Sequence, residues 1–477
     1  MTRDALVASL VAICGRDAVL HRPEELLAYD CDAFTLERSA PGVVVLPIST
    51  EQVAGVVRLC HARGIPFVPR GAGTGLSGGC LSSPGGVMIA LTRMTRIMDL
   101  DLRNRRATVE AGLVNLRLTQ ASTPDGLCYA PDPSSQMACT IGGNVAENSG
   151  GPHTLKYGVT TNHVLGLEVV LPDGEVVWLG GQTDDAAGYD LRGLMVGSEG
   201  TFGVVTQAVV RLVPIAPGVR TMLAVFGTVE AASEAVSALI AAGVLPAALE
   251  MMDRMIIQAV EAAFGLGLPQ DAEAVLIVEL DGLEAGLERA AHEAVAILNA
   301  HGAREVRLAQ DEAERSRLWL ARKKAVGCVG RLAPSKVTQD GVIPRSQLPP
   351  VLRRIAEIAM RHRVRIANVF HAGDGNLHPI ILFDEKDPDQ VRRVWAAGQE
   401  ILEACLDVGG SITGEHGIGV EKRDMMPRMF TEADLDLMRR VRDVFNPEGL
   451  CNPGKLLPTA KSCVETTRRG RSSEATR

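Results

Sequence analysis

Short apolar runs separated by polar, glycine-rich connections fill the first half of the chain. Val43-Val-Val-Leu46 and Ile65-Pro-Phe-Val68 are predicted strands because each is a continuous apolar run bounded by turn signals. Between them, Ser49 begins a capping box that opens a predicted helix over residues 53–63. This order predicts a β-α-β unit that leads directly into a glycine-rich stretch.

The remaining elements follow from the same periodicities. In the first half, strands are expected at residues 87–91, 97–102, 107–111, 163–171, 175–179 and 204–212, and helices at 5–13 and 114–122. From about residue 218, strands expected at 221–226, 247–252, 274–280 and 305–308 alternate with helices at 229–242 and 283–300. This second pattern predicts an antiparallel sheet backed by helices on one face. Further helices are expected at 311–329, 350–362, 388–406 and 432–445, with strands at 365–370 and 377–383.

These patterns predict an α+β fold in five segments. The segments are a helical N-terminal part over residues 1–37, a first domain over 38–217, a second domain over 218–410, a C-terminal segment over 411–457 and a disordered tail over 458–477.

Composition excludes several classes of function. A net charge of −8 and only 3% aromatic residues provide neither a basic footprint nor stacking platforms, so no nucleic-acid partner is expected. The ten cysteines include no C-x-x-C pair, which argues against an iron–sulfur cluster and suits a reducing cytoplasm. The uncharged run over 235–249 is broken by Gly243 and Pro246 and is too short to span a bilayer.

The stretch Pro69–Cys80 contains five glycines in twelve residues. Its Gly73-x-Gly75-x-x-Gly78 spacing matches a dinucleotide-binding turn, but such a turn must open a helix, and a turn followed by a strand is predicted here. No Gly-Lys-Ser/Thr completes a Walker A loop. An NAD-dependent Rossmann enzyme is therefore disfavoured, and the stretch is interpreted as a nest of backbone N–H groups that suits a pyrophosphate.

Two further glycine stretches follow. Residues 131–151 combine paired glycines with Asn144 and Asn148, and residues 197–203 contain three more glycines. Alone, the first of these is typical of a turn-rich loop. Three such stretches within about 135 residues are better explained by one long ligand that lies along the domain.

The second half contains a separate cluster of chemical side chains. His371 and His378 lie seven residues apart at a predicted strand–loop–strand junction, and Glu415 precedes His416 in a second glycine-lined segment. Two histidines and one glutamate are a normal ligand set for a divalent metal with open positions. Because successive side chains of an extended backbone alternate, one of the adjacent pair can bind metal while the other faces the substrate. A neutral His416 could then take the proton of a metal-bound hydroxyl.

Basic residues near a predicted helix could recognise a substrate carboxylate. Arg322 offers a bidentate fork and is the first candidate, and Lys336 in the following loop is a weaker one.

With these segments in view, the chain resembles the FAD-binding oxidoreductases of the vanillyl-alcohol oxidase type. Within that family it is similar to the 2-hydroxy-acid dehydrogenases that include the FAD-linked catalytic subunits of glycolate oxidase. The resemblance covers roughly residues 20–457 and rests on the motifs PRGAGTGLSGG, YAPDPSSQMACTIGGNVAENSGG, LKYG, GSEGTFGV, NVFHAGDGNLHP, GGSITGEHGIG and NPEGLCNPGK.

The resemblance implies an FAD-binding domain over 38–217, a ferredoxin-like α/β cap domain over 218–410 and a C-terminal segment that returns to the flavin. It implies that FAD is contacted by Arg70, Gly71, Ala72, Gly73, Thr74, Gly75, Leu76, Ser77, Pro131, Ser135, Gly142, Gly143, Asn144, Asn148, Tyr157, Gly158, Glu199, Gly200, Val204, Val205 and Asn452. Noncovalent FAD is expected because no histidine lies within 69–80, and His153 is the other position considered for a covalent link.

The resemblance further implies that a divalent ion (zinc, manganese or iron) binds His371, His378 and Glu415, and that His416 is the base. The expected reaction is oxidation of a small (D)-2-hydroxy acid, with glycolate ahead of D-lactate and D-2-hydroxyglutarate. An alternative of another class is a flavin-carrying assembly subunit without chemistry of its own. The implied partners are a flavoprotein-like subunit and an iron–sulfur subunit, through which a cytoplasmic chain could associate with a membrane.

Overall fold

The computed structural model describes residues 2–183 and 187–458. The predicted disordered tail therefore lies, except for its first residue, outside the described residues. The described residues form an N-terminal part with two main sheets and a C-terminal part built on one large sheet. An α+β architecture is thus confirmed.

The first part, up to residue 214, contains a four-stranded and a five-stranded sheet. The four-stranded sheet has the order Val19–Leu20, Val43–Val45, Val87–Ala90, Phe67–Arg70, and the five-stranded antiparallel sheet has the order Ile97–Asp101, Arg106–Glu110, Val204–Arg211, Val164–Val170, Val176–Gly180. Leu127–Cys128 and Val213–Pro214 form a small pair. The helices are Arg3–Cys14, Pro23–Leu26, Thr50–Arg63, Asn115–Ser122, Ile141–Glu147, Thr154–Tyr157 and Leu191–Met195.

The predicted β-α-β unit is present. The Ser49 hydroxyl caps the helix Thr50–Arg63 by accepting from the Gln52 backbone N–H. The strands Phe67–Arg70 and Val87–Ala90 pair in parallel, and no helix lies between them. The absence of that helix confirms that the glycine stretch is not a Rossmann turn.

Both ends of the described chain pack onto this unit. The helix Arg3–Cys14 buries Leu6 and Leu10 against the helix Thr50–Arg63. Cys451, near the C-terminal end, forms a parallel bridge with Phe67. The C-terminal segment therefore returns to the strand that leads into the glycine stretch.

The second part is built on a sheet whose main path has the order Ala303–Leu308, Gly218–Phe226, Ala274–Gly282, Ala248–Asp253, Arg365–His371, Asn376–Leu377, Gly341–Val342. Pro379–Phe383 pairs with both Arg365–His371 and Ser335–Thr338. The helices of this part and the C-terminal segment are Val229–Ala241, Arg254–Phe264, Glu284–Ala300, Glu312–Cys328, Leu348–His362, Pro388–Leu406, Met426–Met429 and Glu432–Phe445.

The prediction of helices on one face of this sheet was wrong. Helices Val229–Ala241 and Glu284–Ala300 cover one face, whereas Arg254–Phe264 and Glu312–Cys328 cover the other. In the strand Gly218–Phe226, alternate side chains enter the two cores, because a β-strand points successive residues to opposite faces. The helix Arg254–Phe264 was not predicted, although Asp253 caps its start.

Candidate active site

A cavity of about 370 Å³ lies where the glycine stretches meet the histidine segments. From the first part it is lined by residues of all three glycine stretches, and from the second part by Arg322, Lys323, Val326, Thr338, His378, Glu415 and His416. A single space therefore borders the predicted ligand loops and the predicted chemical cluster.

Gly73 shows why the first stretch needs glycine. Its φ of +71° is in the left-handed region, and a Cβ there would overlap the Arg70 guanidinium. Arg70 is itself buried, and its Nη1 donates to the Cys31 carbonyl at 2.9 Å. The Arg70 side chain thus packs against the loop at Gly73 and connects it to the segment of Cys31.

The second stretch is not only a loop, since its paired glycines begin the short helix Ile141–Glu147. Thr140 caps this helix by accepting from the Gly143 N–H at 3.2 Å. A Cβ at Gly142 would lie 2.7 Å from the Ala111 Cβ, so glycine is required for this close approach. Pattern reading missed the helix because glycine and asparagine disfavour helices in isolation.

Glu199 connects the third stretch to the histidine segment. It adopts a φ of +52°, and its two carboxylate oxygens accept from the backbone N–H groups of Ile418 and Gly419 at 2.6 and 2.7 Å. These bonds offset the strain of the left-handed conformation and fix the turn that follows His416.

The predicted cofactor residues divide into two groups. Those that line the cavity are Arg70, Gly71, Ala72, Gly73, Thr74, Gly75, Leu76, Ser135, Gly142, Gly143, Asn144, Glu199, Gly200 and Val205. Those that lie outside its lining are Ser77, Pro131, Asn148, Tyr157, Gly158, Val204 and Asn452.

Several residues of the second group hold segments together. The Asn452 amide donates to the backbone carbonyls of Gly79 and Glu199 at 2.8 and 2.7 Å. The Tyr157 hydroxyl donates to Asp281 of the second part. The side chains of Asn452 and Tyr157 therefore act in loop and domain packing.

His371, His378 and Glu415 meet, as the sequence predicted. His371 ends the strand Arg365–His371, and His378 separates the short strand Asn376–Leu377 from Pro379–Phe383. The Nε2 atoms of both histidines lie 3.3 Å from Glu415 Oε1. Three donor atoms within 4.8 Å of one another, one from each residue, could hold a metal ion.

Glu250 orients the first of these ligands. Its Oε1 contacts His371 Nδ1 at 2.7 Å, and its Oε2 accepts from Arg322 Nε at 2.5 Å. Burial raises the pKa of Glu250, but the charges of Arg322 and His371 outweigh burial and lower it, so the carboxylate is ionised. This contact holds His371 Nδ1 and leaves Nε2 facing Glu415. Metal-binding histidines are commonly oriented by a carboxylate in this way.

Arg322 lines the cavity but is already engaged. It is only 2% exposed, and its Nη2 lies 3.5 Å from His371 Nδ1 in addition to the bond to Glu250. Its plane is therefore fixed before any ligand arrives. Lys336 lies outside this cavity, and its ammonium donates to the Val326 carbonyl.

The expectation that Glu415 and His416 point apart was wrong, because Asp340 holds their backbone in a turn. Asp340 Oδ2 accepts from the backbone N–H groups of Gly414 and His416 at 3.0 and 2.9 Å. The buried Lys422 ammonium contacts the same oxygen at 3.2 Å. As a result, His416 Nε2 lies 3.8 Å from Glu415 Oε1.

His416 is suited to accept a proton. Burial lowers its pKa to about 4, so the imidazole is neutral near pH 7. Its ring stacks on His378 with the centroids 4.9 Å apart, and its buried Nδ1 has no hydrogen-bond partner among the described residues. Asp340, His378 and His416 form a second group of potential ligands that shares His378 with the first.

The donor set fits both groups that the resemblance implies. Three imidazole and carboxylate atoms converge on one point, which suits a divalent ion with open positions. Glycine backbone from three loops lines one cavity, and two buried carboxyl oxygens in that lining, Asp32 Oδ2 and Glu147 Oε2, lack partners among the described residues. Such orphaned atoms are expected where a bound molecule completes a site.

Sequence reasoning did not find Glu250, Asp340, Lys422 and Glu147. Glu147 lies within the second glycine stretch, where nothing in the pattern distinguished it, and the other three lie in ordinary apolar or mixed segments. The partners of Glu250 and Asp340 are distant in the sequence. A glutamate within the apolar run Leu249–Met252 was the one available signal, because a fully buried carboxylate needs a partner.

His153 lies outside the cavity lining. Its Nδ1 contacts Asp132 at 2.8 Å, its Nε2 lies 3.5 Å from Glu279, and its ring stacks on Trp319. It is thus part of the contact between the two parts of the molecule.

Two family models match the chain. The FAD binding domain model matches residues 41–180, and the model for the C-terminal domain of FAD linked oxidases matches residues 216–456. In addition, no helix among the described residues is long and apolar enough to cross a membrane.

Individual proteins agree with these matches. The chain is 48% identical to the glycolate oxidase subunit GlcD of Escherichia coli strain K12, over 94% of this chain and 90% of that protein. It is 33% identical to a D-lactate dehydrogenase of Anaerostipes hadrus, over 88% of this chain and 90% of that protein. A solved p-cresol methylhydroxylase with substrate bound shares the fold at 17% identity, with a TM-score of 0.80 over 95% of this chain and 96% of that one. This chain therefore belongs to the family of FAD-linked oxidases of the vanillyl-alcohol oxidase type.

Proposed function

We propose that the protein oxidises a small (D)-2-hydroxy acid, with glycolate as the first candidate, to the 2-oxo acid in an FAD-dependent reaction. The observation that carries this proposal is that His416 borders the same cavity as the three glycine stretches. The proposed base for the substrate hydroxyl and the proposed cofactor loops thus border one cavity. The 48% identity to a glycolate oxidase subunit favours glycolate.

The residues of the glycine stretches would hold FAD noncovalently, and the flavin supplies the acceptor for the hydride that leaves the substrate carbon. His371, His378 and Glu415 would bind a divalent ion that supplies a positive charge beside the substrate hydroxyl. His416, neutral at working pH, takes the hydroxyl proton. Arg322, fixed by Glu250, orients the substrate carboxylate.

Oxidation of D-lactate or D-2-hydroxyglutarate is the second candidate, and similarity to D-lactate dehydrogenases favours it. A flavin-carrying subunit without chemistry of its own is less well supported, because burying His371, His378 and several carboxylates is unfavourable and a passive carrier has no need of these groups.

We also propose that electrons leave through partner subunits, one of them flavoprotein-like and one of the iron–sulfur type. The word subunit in the name of the GlcD relative supports an assembly of this kind. The proposed location is the cytoplasm, with membrane association through those partners. Purified chain alone that reduces the physiological acceptor at the full rate would contradict the partner proposal.

The test is anaerobic mixing of the purified yellow protein with glycolate, D-lactate and D-2-hydroxyglutarate in turn. Bleaching of the flavin absorbance by one of them is expected, and H416Q should bind FAD but bleach slowly or not at all. The exposed His292 provides the control H292Q, which should behave as the wild type. Unchanged bleaching in H416Q would refute the assignment of the base.

A further inference from the structure

Glu147 is a buried carboxylic group in the cofactor cavity that the proposed reaction does not use. It is the last residue of the helix Ile141–Glu147, and its side chain lines the cavity. Its Oε2 is buried and has no hydrogen-bond partner among the described residues. A buried polar atom without a hydrogen-bond partner is unfavourable, so a bound molecule is the expected partner.

A second carboxylate, Glu199, lies close to this atom. A Cβ built at Gly417 would overlap Glu147 Oε2 and would lie 3.0 Å from Glu199 Oε1, so both oxygens approach the same backbone position. Gly417 has a φ of +81°, which together with this crowding requires glycine. When two carboxylates share a buried site, their repulsion raises the pKa of one of them and favours its protonated form.

The hydrogen bonds decide which of the two keeps the proton. Burial raises the pKa of both groups, but Glu199 accepts two backbone N–H bonds, from Ile418 and Gly419, and these favour its charged form. Among the described residues, no donor to Glu147 Oε2 is present. Burial raises the pKa of Glu147 well above its ordinary value, and the negative charges of Glu199, Asp32 and Asp340 raise it further, whereas the positive charge of Lys422 opposes this rise.

The position of Glu147 indicates which end of the cofactor it faces. It lies between Gly79 and Gly417, and Gly417 directly follows His416. Because the base removes the proton of the substrate hydroxyl and the flavin accepts the hydride from the carbon that bears this hydroxyl, the flavin ring would lie at the His416 end of the cavity. This step rests on the proposed function.

We propose that Glu147 is a neutral carboxylic acid that donates a hydrogen bond to the ring of the bound flavin. A carboxylic acid kept neutral by a buried site is an effective donor. Such a donor stabilises the electron density that the ring gains on reduction, and so favours the reduced cofactor. Glu147 is then a cofactor contact that raises the reduction potential of the flavin.

The first measurement is the infrared spectrum of the FAD-loaded protein in H2O and D2O at mildly alkaline pH. The carbonyl band of a protonated carboxyl group, identified by its shift in D2O, should lose intensity in E147Q. The matched control is E421Q. Glu421 is also buried, and burial raises its pKa to about 7, but it lies outside the cofactor cavity. This control should leave the Glu147 band in place.

The second measurement is the midpoint potential of the bound flavin, obtained by dye-coupled reductive titration without substrate. E147L, which has no donor, should shift the midpoint to a more negative value. E147Q, which keeps a donor, and E421Q should stay near the wild type. An infrared band that is unchanged in E147Q, or a midpoint that is unchanged in E147L, would overturn the proposal.

Failure of this proposal is distinguishable from failure of the proposed function. A wild-type protein that takes up no FAD would defeat the cofactor assignment itself, whereas neither measurement depends on the identity of the substrate. If E147L does not accumulate as a folded flavoprotein, the infrared comparison of E147Q with E421Q alone tests whether Glu147 is protonated, and an unchanged band in E147Q overturns the proposal.

Discussion

The Ser77 hydroxyl donates a hydrogen bond to the backbone carbonyl of His416 at 3.0 Å, although 339 residues separate the two. The Ser77 carbonyl in turn accepts from the Val420 N–H at 2.9 Å. The first glycine stretch is therefore tied directly to the segment that carries the proposed base. This loop and the segment of His416 keep a fixed relation because Ser77 contacts the backbone of both His416 and Val420.

Metal content should depend on the His371, His378 and Glu415 cluster. Replacement of His378 by alanine removes one of three ligands, so bound divalent metal per chain, measured by elemental analysis after gel filtration, should fall well below the wild-type value. Bound FAD should stay near the wild-type level. His292→Ala, at an exposed position, is the control. Equal metal in His378→Ala and wild type would exclude this site.

Glu250→Gln should weaken the proposed metal site although it replaces none of the three proposed ligands. The variant removes the negative charge that orients His371, and loss of such a carboxylate typically lowers metal affinity about 10–100-fold. It also leaves Arg322 without its buried partner, which costs roughly 3–5 kcal/mol of stability. Competition with a chelator and thermal unfolding would measure the two effects.

The pair of Glu305 and Arg307 provides the control for that prediction, since its nearest atoms lie 3.6 Å apart and the two side chains are 51% and 40% exposed. Glu305→Gln should change stability by less than about 1 kcal/mol and leave metal affinity unchanged. Similar losses in both variants would mean that burial of the Glu250 pair has no special role.

Asp340→Asn should impair turnover more than cofactor binding. The variant weakens the bonds that Asp340 makes to Gly414, His416 and Lys422, so Glu415 and His416 lose their shared turn. Displacement of a catalytic group by about 1 Å can cost on the order of 10²-fold in rate. Single-turnover flavin reduction should slow by that order while FAD stoichiometry is kept. A normal rate would show that the turn forms without this charge.

The contribution of His153 to stability should depend on pH. Burial lowers the pKa of His153, but Asp132 and Glu279 outweigh burial and raise it from 6.5 to about 10. Because the folded value lies above the unfolded one, the stabilisation is complete below pH 6.5 and is lost as pH rises toward 10. The difference in melting temperature between wild type and His153→Gln should therefore be largest near pH 6 and shrink at alkaline pH. A difference that grows with pH would contradict this charge state.

The sequence alone determined most of the long helices and strands and the identity of the chemical groups. Apolar periodicity located the helix Thr50–Arg63 and the strands beside it, since these depend on local capping and burial patterns. The residue types also predicted the cluster of His371, His378 and Glu415, because this ligand combination has a specific chemistry.

Only the tertiary structure decided how those groups are oriented. The roles of Glu250 and Asp340 rest on contacts with residues more than 70 positions away, which local patterns do not encode. The prediction that the side chains of Glu415 and His416 point to opposite sides was wrong. It assumed an extended backbone, whereas the hydrogen bonds to Asp340 bend the backbone at these residues. Likewise, the strand Gly218–Phe226 is apolar on both faces, and only the packed helices show that both faces are covered. Composition determines which chemistry is available, and long-range hydrogen bonds and packing determine where each atom points.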